Sequence, residues 1–436
     1  MQQVSESSEA SMDEYRPESG LQKTPVENLV LGMFIAGLDR PWLESSSPMQ
    51  GFYLESTQNI ESLASECAYV YVDPRRYDSR LVDIEFASSV PEKQESEVNS
   101  NVVYLDSIRP ANPKIYSNTV KITDEMAPAQ TSLEDAVTIM KSVVGKLHKS
   151  GSINCEDIES AIQPLVNSVM RNKMAIAALL RMRSLGEYSY AHALSCAVWT
   201  ALLARELGFS KKEIDQLALG ASLMDIGKLE LPIELINSTE VLTDESWETT
   251  KSHVEEGVKL AREAGAEDQV LEMIQTHHER HDGSGYPLGL KANEIPVSGR
   301  IAAIVDSYDA MISDRPHTKA LSSFEAAQDL LANAHSESKG LYQKEIVEHF
   351  IKAIGVFPVG TIVELNDGSV GVVVSQNDAL RLKPKVMLIM DKGKQIKNKF
   401  VIIDLSASAR DGRPAAWISK ELPSNAYGID PGKYFL

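Results

Sequence analysis

Apolar and polar positions change rhythm three times along this chain of 436 residues. The first dozen residues, rich in Ser, Glu and Gln, offer almost nothing to bury, so residues 1–12 read as a disordered lead-in. From about Thr24 to Tyr77, short apolar runs such as Leu29-Val30-Leu31 and Tyr69-Val70-Tyr71-Val72 alternate with Gly, Pro and Ser clusters. Asn59-Ile60-Glu61-Ser62-Leu63 sits between them with helical spacing, which predicts a small α/β domain over residues 13–85. Residues 86–130 carry scattered Pro, Ser, Asn and Glu without sustained periodicity and read as a linker, with strand character at Asn101 to Leu105.

At Ser132 the rhythm becomes helical. Ser132-Leu133-Glu134-Asp135 has the form of a capping box, and Val137, Met140, Val143, Val144 and Leu147 then recur at helical spacing. Further helices are predicted at roughly 155–171, 173–185, 189–207, 211–224, 244–264, 267–278, 297–313, 323–335 and 342–353. A helical domain therefore spans residues 131–355. After Ile354-Gly355 the pattern flips again: Thr361 to Leu365, Asn366-Asp367-Gly368 and Val370 to Val374 form a strand, turn, strand signal, and Lys385 to Met390 and Phe400 to Leu405 add further strands. Residues 356–436 are thus a β appendage, and the fold class is mainly α with a small amino-terminal α/β domain.

Composition narrows the function. The 43 Lys and Arg against 62 Asp and Glu give a net charge of -19, which argues against a broad footprint on a nucleic-acid polymer. An anionic substrate must therefore meet locally arranged cations or metal ions. The amino terminus lacks a basic start and an apolar run, and no stretch approaches the roughly 18 apolar residues of a membrane helix; a cytoplasmic protein without membrane insertion is expected. Cys67, Cys155 and Cys196 are too widely spaced for a thiolate zinc site or a disulfide scaffold, which fits a reducing compartment.

The nine histidines are spread unevenly. Within the helical domain His192, Asp225, His253, the pair His277 and His278, and Asp306 each fall on or beside a different predicted helix, at positions that should face inward. Imidazoles and carboxylates converging from several helices are a usual construction for a divalent-metal centre. Taken singly, His192 also reads as a hydrogen-bonded core histidine, and His281, Asp282 and Asp309 read better as turn or helix-cap residues. Asp306 lies among Ile301, Ile304, Val305, Tyr308 and Met311, where a carboxylate needs a partner. Asp225 precedes Ile226-Gly227-Lys228, where Gly permits a sharp turn and Lys228 could reach an anion.

The segment His277-His278-Glu279-Arg280-His281-Asp282-Gly283-Ser284-Gly285-Tyr286-Pro287 resembles the signature of the HD-GYP family, bacterial phosphodiesterases of cyclic di-GMP within the HD metal-dependent phosphohydrolases. Other family marks follow in order: Tyr188 to His192, Asp225 to Pro232, His253 to Gly257, and Arg300-Ile301 through Asp306 to Asp314-Arg315-Pro316. The resemblance spans roughly residues 131–355 and implies a helical HD-type bundle. Val26 to Ile35 with Tyr69 to Asp73 also resembles the domain of unknown function that precedes many HD-GYP domains. The resemblance assigns metal ligation to His192, Asp225, His253, His277, His278 and Asp306, with Asp225 bridging two divalent ions such as Fe or Mn. It gives Asp225 and Lys228 catalytic roles, and it places Lys228, Gly285, Tyr286, Pro287 and Arg315 against substrate. The implied reaction opens cyclic di-GMP to linear pGpG, with GMP as the product of a second cut. Other signalling proteins and a second copy of the chain are the further partners expected.

Two positions depart from the family pattern. Met224 stands where the family has the His of its His-Asp doublet, and a thioether does not replace imidazole for Fe, Mn or Zn. The first ion would keep only His192, Asp225 and Asp306, so weakened occupancy and slowed hydrolysis are expected. Tyr188 stands where members with three metals carry Glu, so no third ion is expected. A degenerate domain that binds cyclic di-GMP or a protein partner, and an HD hydrolase of another nucleotide, are the competing readings.

Overall fold

The computed structural model describes residues 21–39, 52–54, 57–77, 108–182, 188–232, 235, 243–314, 319–335, 340–377, 380–407, 416–424 and 426–434. The expected lead-in at 1–12, the Asn101 to Leu105 strand and Arg315 lie outside the described residues. The chain divides into two compact units, Met1–Glu97 and Val98–Leu436.

In the first unit, β1 (Gln22–Pro25), β2 (Met33–Leu38), β3 (Phe52–Tyr53) and β4 (Tyr69–Tyr77) form an antiparallel sheet in the order β1-β4-β2-β3, with α1 (Thr57–Glu66) inserted before β4. Leu29, Ile35, Leu38, Leu54, Leu63, Val70 and Val72 make its core. The register of β2 against β4 shifts on both sides of Ile35. Such irregularities break strict alternation and let neighbouring Phe34 and Ile35 both be buried.

The second unit opens with helices: α2 (Ile122–Ser150), α3 (Cys155–Arg171), α4 (Ala175–Met182), α5 (Tyr188–Leu207) and α6 (Lys211–Leu223). They are followed by α7 (Asp244–Lys251), α8 (His253–Glu263), α9 (Asp268–Thr276), α10 (Val297–Ile312), α11 (Ser323–His335) and α12 (Lys344–Ile354). Along α5, Leu194, Cys196, Ala197, Val198, Trp199, Ala201, Leu202, Leu203 and Ala204 are all buried. A helix apolar on every side belongs at the centre of a bundle, and α5 packs against α3, α6, α10 and α12.

Two helix boundaries differ from the sequence reading. Helix α2 starts at Ile122, not at Ser132, whose hydroxyl donates back to the Pro128 carbonyl at 3.0 Å instead of capping an end. The earlier start is anchored by Glu125, which is buried and paired with Arg171 at 2.7 Å, and by Met126 and Ala129, which extend the apolar stripe. The helix expected over 244–264 is broken at Ser252 into α7 and α8, so that His253 opens a new helix.

Strands β5 (Ile362–Leu365), β6 (Val370–Ser375), β7 (Lys385–Met390), β8 (Ile396–Asp404) and β9 (Ile418–Leu422) form the carboxy-terminal antiparallel sheet, ordered β8-β7-β6-β5-β9. Ile362, Val370, Val372, Ile389, Met390 and Ile429 are its core. The sheet is tied to the helices by Arg181 on α4, which pairs with Glu421 on β9 at 3.0 Å. No described helix is long and apolar enough to cross a membrane.

Candidate metal centre

Six side chains from five places in the chain meet at one end of the bundle. His192 comes from the first turns of α5 and Asp306 from the middle of α10. Asp225 sits after α6, at the start of a single 3-10 turn, Ile226–Glu230, while His253 opens α8 and His277 and His278 directly follow α9. The chain can make this approach because residue 227 is glycine. A Cβ there would lie 2.0 Å from the His253 carbonyl oxygen and 2.5 Å from the Gly257 nitrogen, so the backbone carrying Asp225 could not otherwise sit against the start of α8.

Asp225, His253, His277 and His278 bring ligand atoms within 4.8 Å of one another. His253 Nδ1 lies 2.6 Å from the Thr250 carbonyl oxygen and His277 Nδ1 lies 2.7 Å from that of Ile274. A carbonyl only accepts, so each Nδ1 carries a proton, and in the neutral ring each Nε2 then presents a lone pair. Those two Nε2 atoms face each other at 3.4 Å, and Asp225 Oδ1 stands 3.5 and 3.6 Å from them. Asp225 Oδ1 is buried and accepts no hydrogen bond from the described residues. Two lone pairs and a buried carboxylate oxygen converging without a proton between them is unfavourable, by about 1–3 kcal/mol for one unsatisfied acceptor, unless a cation is shared among them. Burial, then the neighbouring imidazoles, keeps His253 down at about 4 and His278 down at about 2. Both are therefore neutral at physiological pH, the state in which imidazole ligates.

On the other side of Asp225, His192 Nε2 lies 3.6 Å from Oδ2 and 3.2 Å from Asp306 Oδ1, a second set of ligand atoms within 4.8 Å. The two oxygens of Asp225 thus face the two groups separately. Burial works against charge on Asp225, but Lys228, 2.5 Å from Oδ2, holds its carboxyl well below the usual range. Burial likewise opposes charge on His192, yet Cys196, Asp306 and Asp309 outweigh it and pull the imidazole well above its ordinary value.

Asp309, which reads in the sequence as a cap residue, is instead buried at 3% exposure. It accepts from His192 Nδ1 at 2.7 Å and from Trp199 Nε1 at 2.9 Å. That bond holds the His192 ring with Nε2 facing Asp225 and Asp306, where a bound cation would take the place of the Nε2 proton, the usual arrangement behind a ligating histidine. The available signal was its place one helical turn after Asp306 on α10. Met224, at the end of α6, is buried at 1% exposure and supplies neither group with a nitrogen or oxygen.

The loop after the histidines is held by a second residue that sequence reasoning passed over. Glu279 is buried and accepts from the backbone nitrogens of Leu288 and Leu290 at 2.7 and 2.9 Å. Gly285 packs so tightly under it that a Cβ would meet the Arg280 nitrogen at 2.4 Å and the His278 oxygen at 2.5 Å. Tyr286 is thereby stacked on His278, with ring centroids 4.6 Å apart and planes at 27°. Burial and the nearby Asp225 push its phenol up, so it remains a donor. The structure therefore brings Lys228, Gly285, Tyr286 and Pro287 to the same end of the bundle as the six ligand candidates. His281 is half-buried beyond them, its backbone bonded to Leu341 and Ala292, and Asp282 caps the turn by accepting from Ser284.

The helical bundle and its His/Asp cluster agree with a likeness to the HD-domain proteins. Residues 171–338 match the family described as HD domain, residues 21–158 the Domain of unknown function (DUF3391), and residues 362–410 the KOW domain associated with HD domain. Among relatives, the chain is 28% identical over 428 residues to a cyclic di-GMP phosphodiesterase of Pseudomonas aeruginosa, covering 95% of this chain and 98% of that protein. It is 40% identical over 152 residues to a cyclic di-GMP phosphodiesterase of Thermotoga maritima, covering 34% of this chain and 40% of that one. It is also 29% identical over 168 residues to a 3'3'-cGAMP-specific phosphodiesterase of Vibrio cholerae, covering 38% of this chain and 32% of that protein.

Proposed function

We propose that this chain is a metal-dependent phosphodiesterase that hydrolyses cyclic di-GMP to linear pGpG in the cytoplasm. The observation that carries the reading is the meeting of the His253 and His277 Nε2 lone pairs with the partnerless Asp225 Oδ1. The relative from Pseudomonas aeruginosa, matched over nearly its whole length, supports the substrate. Imidazole nitrogens and carboxylate oxygens are a donor set suited to Fe, Mn or Zn. His253, His277, His278 and Asp225 would hold one ion, and His192, Asp306 and Asp225 a second.

Divalent ions in such a pair neutralise phosphoryl oxygens and lower the pKa of water. The chain's own residues do the rest. Asp225 divides its two oxygens between the groups, and Asp309 keeps His192 turned toward them. Lys228 carries an ammonium to the edge of the centre, where it meets phosphate charge and can give a proton to the departing 3′ oxygen. Tyr286, seated on His278, offers its hydroxyl, while Gly285 and Pro287 set the loop against the substrate. By the family resemblance Arg315, like Lys228, would meet substrate phosphate. Water adds at phosphorus, the P–O3′ bond breaks, and the products are a 5′-phosphate and a 3′-hydroxyl.

Met224 favours one competing reading, a domain that binds the dinucleotide and has abandoned cleavage, because the group of His192, Asp225 and Asp306 keeps one imidazole only. Turnover of cyclic di-GMP by the natural protein and by Met224→His, with products separated by chromatography, decides between them. We expect slow conversion to pGpG by the natural protein and a gain on the order of 10- to 100-fold in the variant at limiting metal, by analogy with the cost of weakening one ligand. Tight binding by both proteins with cleavage by neither would overturn the enzymatic reading.

A further inference from the structure

We propose that Trp247, together with Tyr286 and Lys251, forms a shelf that stacks a purine base of the substrate and so sets its affinity. This rests on the cyclic dinucleotide reading above and adds to it the group that recognises the base.

Helix α7 is held at its start by Thr243, whose hydroxyl oxygen accepts from the Ser246 nitrogen at 3.2 Å. None of its residues is buried. An indole on such a helix is not retained for core packing, yet Trp247 is 45% exposed, one of the large apolar groups left in water. Its surroundings are those of a ligand site. The indole lies 6.0 Å from the Tyr286 ring at 77°, and Tyr286 in turn stacks on His278 at 4.6 Å. The rings therefore run without interruption from a candidate metal ligand out to solvent. Lys251 Nζ stands 5.7 Å from the indole centroid and 5.5 Å from that of the phenol, so one ammonium borders both rings. It is held there by Glu248 at 2.7 Å.

In a cyclic dinucleotide each base lies one ribose away from a phosphate. With a phosphate at the His278 end of this run, the neighbouring base reaches the Trp247 end. Every base has a π face, and a purine offers the larger one to an indole. Trp247 meets Tyr286 and not the metal ligands in this run of rings, so it acts on binding and leaves the bond-breaking step to the centre.

The test uses the full chain carrying Trp247→Ala or Trp247→Phe. Turnover of cyclic di-GMP and quenching of tryptophan emission on its addition are both measured, after confirming that metal content and melting match the natural protein. Loss of one base stack predicts that Trp247→Ala raises KM about tenfold with kcat within about twofold. Phe keeps a ring and should hold KM within about threefold of the natural value. Most of the ligand-induced quench should vanish in both variants, although Trp42, Trp199 and Trp417 remain. If the natural protein cleaves cyclic di-GMP and Trp247→Ala shows the same KM and the same quench, the shelf is wrong and the phosphodiesterase reading stands. If the natural protein neither binds nor cleaves cyclic di-GMP, the functional reading fails and the shelf falls with it.

Discussion

Asp309 does the orienting work at the centre from a position the sequence disguises. Its two donors, His192 and Trp199, lie 117 and 110 residues away along the chain, so nothing local distinguishes it from a cap. His192, Asp225, His253, His277, His278 and Asp306 were legible because polar groups that can bind a metal stand out among apolar positions of a buried face. Asp309→Asn keeps the shape but offers one acceptor and one donor where two donors converge. We expect it to leave the fold intact and to lower metal affinity or kcat by roughly 10- to 100-fold, the usual cost of losing a group that orients a ligand. Metal titration and steady-state kinetics check this. Unchanged values for both would mean that His192 needs no such support.

Among the elements, helices were legible wherever an apolar stripe repeats, as in α3, α6 and α11. Their ends were less so. Ser132 carries a cap pattern, yet the helix runs through it, because the Glu125–Arg171 pair and buried Met126 make the preceding turns worth ordering. The break at Ser252 is equally hidden, since neither Gly nor Pro marks it, yet Asp244–Lys251 buries none of its residues and the backbone turns after it to present His253. Helix α12 holds a buried carboxylate of another kind. Burial raises Glu348 to about 7, with Lys344 and Arg381 opposing and Glu345 reinforcing the rise. Its unfolded value is about 4.3. Between the two the folded state holds more protons, so this group's contribution to stability is present below about 4.3 and is lost as pH rises through 7. Glu348→Gln removes that loss. Its stability advantage over the natural protein should therefore widen by on the order of 2 kcal/mol between pH 5 and pH 8. Denaturant melts at the two pH values measure it, and a difference that stays constant with pH would contradict the assignment.

At the scale of the whole molecule, a chain of net charge -19 gathers its nucleotide-facing chemistry at one end of a helical bundle. Three changes of rhythm in the sequence marked the sheet, bundle and sheet, because period two and period 3.6 survive in any fold that buries one face. What stayed hidden was which side chains meet across distant helices. Central to the proposed activity is a divalent ion held by Asp225, His253, His277 and His278, on which cleavage of cyclic di-GMP depends. Counting metal ions per chain in protein purified without chelator, for the natural sequence and for His278→Ala, tests it most directly when the same samples are assayed for turnover. The expected result is at least one ion per natural chain, with most of the metal and most of the turnover gone in the variant. Full metal content in His278→Ala, or turnover that persists in metal-free natural protein, would contradict it.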